Sequence, residues 1–204
     1  MSDQRGCQAT DRSGTSTLHF QSNTDKTSSD YLKRYGDVGN DSFNHIDLNC
    51  LQLWTDLYFA VPAYLEAQSK VAHNIPVYLY REEYHNPVLT ANFPVKGAYH
   101  GNEIPYLFGA FFYDRFQFDN QDLAMQKDLL SGFISFAKSG TPVVSGKKWK
   151  PITKHHPDRY MSFSPFSHMK NGYMKEAIDF WNKVACTSAH ENMIRKTLLP
   201  TLEC

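Results

Sequence analysis

No apolar run in the sequence approaches the roughly 18–20 residues that would cross a bilayer. The opening Met1-Ser2-Asp3-Gln4-Arg5-Gly6 has no apolar stretch of the kind a secretory signal needs, so neither leader nor anchor is expected within the chain. Charge of one sign is also missing: 21 Lys+Arg balance 21 Asp+Glu, and the pI is about 7.1. A chain that replaces counterions on phosphates needs a basic surplus, so no nucleic-acid partner is expected, and a polybasic membrane patch is disfavoured for the same reason. Cysteine is sparse. Cys7, Cys50, Cys186 and Cys204 are too widely spaced for a C-x-x-C metal or redox pair, and a disulfide framework needs a denser pattern. They read as isolated thiols, one or two of them packed in a core. No cofactor and no metal site are expected.

What the sequence does contain is length for one ordinary domain, 204 residues, and an abundance of aromatics: 14 Phe, 12 Tyr and 3 Trp. Composition changes near residue 30. Residues 1–30 hold six Ser and five Thr but only Met1, Cys7, Ala9, Leu18 and Phe20 as apolar residues, too few to offset ordering entropy. This segment reads as a disordered Ser/Thr-rich arm, with the domain proper over residues 31–204.

Beyond it, Phe43, Ile46, Cys50, Trp54, Leu57, Val61, Tyr64 and Leu65 recur at spacings of three and four, a helical stripe. Pro62 interrupts the pattern, which predicts a fresh helix from Pro62 to His73 with proline in its first turn. Ile75–Arg81 reads as a buried strand, and residues 83–99 as a loop punctuated by Asn86-Pro87 and Pro94. A short helix after Gly101 should close at Gly109. Asp119–Lys138 is an amphipathic helix with Leu123, Gln126, Leu130, Phe133 and Ala137 on one side and a Gly140-Thr141-Pro142 stop. Residues 141–158 read as a polar connection, Tyr160–Ser164 as a strand, and about Tyr173–Leu198 as a last helix. The chain is thus mostly helical with two short strands. Two strands cannot form an independent sheet, so it reads as part of an α/β domain.

Of the nine histidines, His100 has the most suggestive setting. It lies beside Gly101 in a loop between a strand and a helix, where α/β folds hold reacting groups. A neutral imidazole there can take a proton from a hydroxyl and return it to a leaving group near neutral pH. On spacing alone, a structural or solvated histidine is the commoner explanation. His155 and His156, in a polar connection without partner ligands, read as solvated.

Gly97–Gly109 (GAYHGNEIPYLFG) resembles the histidine motif of the type B carboxylesterases, the family of cholinesterases and neuroligins. Other blocks follow in that family's order: Asp56–Lys70, Ile75–Arg81, Leu129–Pro142, Trp149-Lys150-Pro151 and Phe180-Trp181-Asn182. Together they cover about residues 47–186. The resemblance implies a partial α/β-hydrolase fold, its carboxy-terminal strands and helices, and a Ser–Glu–His triad that cleaves carboxylic esters through an acyl-enzyme. Only His100 matches a triad position. Glu103 matches a recurring acid behind the histidine, with a structural hydrogen-bonding role beside Gly101. No third ligand is spaced to make a metal site of His100 and Glu103.

The partners of that histidine are missing from the sequence. The nucleophile of this fold sits in a G-x-S-x-G elbow. Among 11 glycines only Gly97 and Gly101 are four apart, with Tyr99 between them, and no Gly-Gly dipeptide offers an oxyanion loop. The family's acid would fall at or before the first residue. Cholinesterase-like members tie the helix near Val61 to the last helix near Ile178 by a disulfide, and neither position is cysteine. Asn40-Asp41-Ser42 is a glycosylation sequon, expected to be unused. The expected function is therefore the carboxy-terminal segment of an ester hydrolase, inactive alone, acting on a carboxylic ester only within a complete enzyme. The alternative is a non-catalytic interaction module of the neuroligin type, with a protein partner at an exposed sheet edge.

Overall fold

The computed structural model describes residues 30–31, 33–35, 51–91, 96–109 and 117–187. Most of the Ser/Thr-rich arm, the sequon at Asn40, and Cys7, Cys50 and Cys204 lie outside them. The described chain forms two compact units, one built from residues up to Glu66 and from Met174 onward, the other from Ala67–Tyr173.

In the first unit the chain is helical from residue 51 and passes through a π-helical stretch, Asp56–Ala60, into α1 (Val61–Ala72) without a break. The expected fresh start at Pro62 does not occur. Proline has no N–H and its ring crowds the carbonyl four residues back. Widening the preceding turn, so that the Val61 N–H donates to the Asp56 carbonyl, lets the helix carry the proline. The Asp56 carboxylate is fully buried and accepts from Tyr35 Oη at 2.6 Å, Gln52 Nε2 at 2.6 Å and Arg34 Nη2 at 2.9 Å. A buried charge is tolerable only with such partners. Trp181, from the last helix α4 (Lys175–Thr187), donates to Tyr35 Oη at 3.0 Å, and Phe180 meets the Tyr35 ring edge-on. The matched Phe180-Trp181 pair is thus part of an aromatic and ionic cluster.

The second unit holds a three-stranded sheet and a hairpin. β1 (Tyr80–Glu82) pairs in parallel with β4 (Tyr160–Phe163), and β4 pairs antiparallel with β5 (His168–Lys170), in the order β1-β4-β5. The expected strand Ile75–Arg81 is corrected: the ladder begins at Tyr80, and Ile75 is exposed. Backbone bonds still line the extended approach, from Ile152 N–H to Val77 O at 2.9 Å and from Met161 N–H to Leu79 O at 2.9 Å. Residues 141–158 are also not merely a connection. β2 (Val143–Val144) and β3 (Lys147–Lys148) form a hairpin across Ser145-Gly146, both at positive φ (49° and 74°), as a tight mirror-image turn requires. Among the described residues there are five strands where two were expected.

α2 (Ile104–Phe108) ends at Gly109, whose φ of 64° supplies the left-handed cap. α3 (Asn120–Ser139) begins at Asp119, which accepts from Gln121 and Asp122 N–H groups while the Asp122 side chain caps back, and ends at left-handed Gly140. Its inward stripe is Asp122, Met125, Asp128, Leu129 and Gly132. Leu123, expected inside, is 49% exposed. The offset follows from Gly132: a Cβ there would stand 3.1 Å from a Val144 methyl, so the bare backbone admits the hairpin and Trp149. Tyr106, Met125, Leu129, Val144, Trp149, Met161 and Phe163 form the core.

Candidate functional site

The site is assembled past the carboxyl end of β1. Strand alternation sends Tyr80 and Glu82 to one face and Arg81 and Glu83 to the other. After that strand and its Asn86-Pro87 turn, the described backbone resumes at residue 96 and enters a tight turn at residues 99–103. There the Tyr99 carbonyl accepts from Asn102 N–H at 3.0 Å and the Gly101 carbonyl from Ile104 N–H at 3.1 Å. Gly101 is buried with φ 82°, a conformation that a side chain would strain. His100, on this turn, is exposed. Glu103 occupies the N-cap position of α2, half-buried, and its side chain makes no capping bond to the helix. His100, Gly101 and Glu103 therefore share one turn, with the imidazole outward and the glycine inward.

Two residues to which the sequence analysis assigned no part in the site anchor this turn and the helix after it. Asn102 is fully buried, and its Nδ2 donates to Glu82 Oε2 at 2.7 Å and to the Tyr84 carbonyl at 3.1 Å. It joins the histidine turn to the end of β1. Burial pushes the Glu82 carboxyl up to about 7; the Asn102 bond opposes the rise and the like charge of Glu103 adds to it. The Tyr80 hydroxyl is pushed up to about 12, by burial first and then by Glu103 and Glu82.

A second anchor is Asp122. It is fully buried in the first turn of α3 and accepts from Asn86 Nδ2 at 2.6 Å, Tyr106 Oη at 2.9 Å, Asp119 N–H at 2.9 Å and Tyr84 Oη at 3.1 Å. The post-strand loop and both helices are thereby tied to one carboxylate. Burial, with that carboxylate adjacent, holds the Tyr84 and Tyr106 hydroxyls well above their ordinary range. A signal for Glu82 was present in the sequence: a Glu-Glu pair closing an apolar run is a charge in a place that seldom tolerates one. Nothing in spacing showed that Asn102 would meet it.

Among the described residues no group of three His, Cys, Asp or Glu is arranged to hold a metal ion, and no helix is long and apolar enough to cross a membrane.

The family model described as "Carboxylesterase family" matches residues 3–181, reaching further back than the blocks quoted above and through the Ser/Thr-rich arm. Gut esterase 1 of Caenorhabditis briggsae is 30% identical over 138 residues, which are 65% of this chain and 25% of that protein. Acylcarnitine hydrolase of Rattus norvegicus is 25% identical over 141 residues, 68% of this chain and 25% of that protein. The chain thus spans about a quarter of the length of these curated relatives. In fold it is similar to juvenile hormone esterase from Manduca sexta, with a TM-score of 0.58 at 21% identity, covering 81% of this chain and 33% of that one. The architecture is accordingly a partial α/β-hydrolase fold in which helix outweighs strand. By its sequence match and its fold, this chain is a portion of a protein domain of the carboxylesterase family.

Proposed function

We propose that this chain, over residues 31–204, supplies the histidine-bearing carboxy-terminal part of a carboxylic-ester hydrolase and does not turn over esters by itself. The observation that carries the reading is the position of His100: an exposed imidazole on a tight turn, beyond the carboxyl end of a parallel strand. In that place Nε2 would take the proton from a serine hydroxyl as it attacks the ester carbonyl, then deliver it to the departing alkoxide. Water would regenerate the acid product by the same relay. The serine and the oxyanion donors would come from sequence this chain does not contain, since it has no G-x-S-x-G elbow. Gly101 gives the turn its left-handed bend, and Glu103 acts on the histidine's surroundings through its charge.

The test is a chimera in which residues 31–186 replace the matching part of gut esterase 1. The expected result is p-nitrophenyl acetate hydrolysis that His100→Ala lowers on the order of 10⁴-fold or more, while the 204-residue chain alone stays at background. Turnover by the isolated chain that a serine-directed organophosphate abolishes would overturn the reading. A second reading, a non-catalytic interaction module of neuroligin type, is favoured by β1 standing at one end of the sheet with Tyr80 part-exposed. A chimera that folds and stays inactive with His100 in place would favour it.

A further inference from the structure

The Glu82–Asn102 contact contains an inconsistency that a proton resolves. Asn102 gives one N–H to Glu82 Oε2 and the other to the Tyr84 carbonyl, and these two acceptors fix which way its amide points. With the amide so fixed, Asn102 Oδ1 is buried and has no donor among the described residues. Glu82 Oε1 is buried and has no partner among them either. Two orphaned oxygens at either end of one contact are costly, because each forfeits its hydration without replacement. An ionised carboxylate and an amide carbonyl can only accept, so they cannot satisfy one another. A protonated carboxyl can donate.

We propose that Glu82 carries a proton which Oε1 donates to Asn102 Oδ1, closing a two-bond acid–amide ring that positions the turn bearing His100. The proposal rests on the esterase reading only in giving that turn a purpose, and Glu82 is a positioning residue in it, not a catalytic one. The groups facing Glu82 fit a neutral acid. Glu103, at the mouth of α2, has the same sign; Tyr80 on β1 and Tyr106 on α2 are neutral phenols; Phe163 is its register partner on β4. Burial raises the Glu82 carboxyl to about 7, which agrees with the geometry.

The consequence is a pH dependence of stated direction. A carboxyl raised in the fold contributes its full stabilisation below its unfolded value of 4.5 and loses it as pH climbs through about 7. Above that, the ring opens and the 99–103 turn keeps only the Asn102 Nδ2 bonds to Glu82 Oε2 and the Tyr84 carbonyl. Glu82→Gln keeps the shape and replaces the acid O–H by an amide N–H, so the ring persists at every pH.

The 204-residue chain can be tested directly. Infrared spectra at pH 6 should show a carboxylic-acid carbonyl band that moves on ¹³C-glutamate labelling and disappears near neutral pH. That measurement needs no variant, and absence of the band at pH 6 overturns the proposal. Between pH 5 and 8, urea unfolding should show the wild-type unfolding constant growing on the order of a hundredfold relative to Glu82→Gln. Parallel curves would overturn it. Amide exchange at residues 99–104, corrected for intrinsic rates, should speed up above pH 7 in the wild type and not in Glu82→Gln; equal protection would refute the positioning role. None of these readouts uses ester turnover, so an inactive chimera would defeat the esterase reading and leave the ring standing, and the reverse also holds.

Discussion

Glu82 and Glu83 are consecutive at the carboxyl end of one strand, chemically identical, and held in opposite states. Glu83 points to the face where Tyr160 Oη at 2.8 Å, Ser162 Oγ at 2.6 Å and the Lys170 ammonium all donate to it. Burial alone would raise its carboxyl; those donors more than reverse the effect and hold it at about 2. Glu82, one residue earlier and on the other face, has one amide donor, a like charge nearby and a carboxyl raised to about 7. The strand's alternation alone separates them. A carboxylate's charge in a fold is decided by the donors on its face, and burial only sets how much those donors matter.

The comparison breaks most severely on the saturated side. Glu83→Ala strands the Tyr160 hydroxyl, the Ser162 hydroxyl and the Lys170 ammonium together, across the pairing of β4 with β5. The expected loss is about 3 kcal/mol of unfolding free energy, read from urea denaturation at pH 7. A loss below about 1 kcal/mol would mean that water replaces the carboxylate and that the face is wetter than the bonds suggest.

The acid limb sharpens the contrast. A carboxyl lowered in the fold stabilises above its unfolded value of 4.5 and loses that stabilisation as pH falls toward about 2. Wild-type stability should therefore drop between pH 4.5 and 2 through Glu83, in the range where Glu82 contributes at full strength. Glu83→Gln, which cannot ionise, should be less stable than wild type at pH 7 and should lose less than wild type on acidification. Chemical denaturation at pH 2.5, 4 and 7 checks it, and parallel curves for the two proteins would contradict it.

How much of this was legible beforehand differs by region. Helix ends were plain: Asp119 opening α3, the Gly140-Thr141-Pro142 stop closing it and Gly109 closing α2 are local chemistry that a sequence displays. The histidine turn was legible through its neighbours, Gly101 before a short helix. The hairpin at Val143–Lys148 was not, because two apolar residues and a Ser-Gly step are outweighed by the surrounding lysines, and the close approach of Val144 to Gly132 on the preceding helix shows only in the fold. The π-helical stretch escaped for the same reason: whether a proline breaks a helix depends on what holds the turn before it. The buried stripe of α3 was displaced because periodicity gives a face but not its phase when a glycine admits a bulky neighbour. Glu82 and Asn102 are twenty residues apart and meet only through the fold.

The smallest effect isolates the charge on the saturated side from its hydrogen bonds. The Lys170 side chain is 37% exposed, so its pairing with Glu83 is screened by solvent. Lys170→Met keeps the apolar stem over the strand and removes only the ammonium. The expected cost is about 0.5 kcal/mol at low salt, shrinking as salt is added. The same variant should move the midpoint of the acid limb upward, because Glu83 would keep the Tyr160 and Ser162 donors and lose its cation. A variant whose acid limb stays where the wild type has it would show that the hydroxyls alone set the state of Glu83, and that the difference between the two glutamates is one of hydrogen bonding and owes nothing to charge.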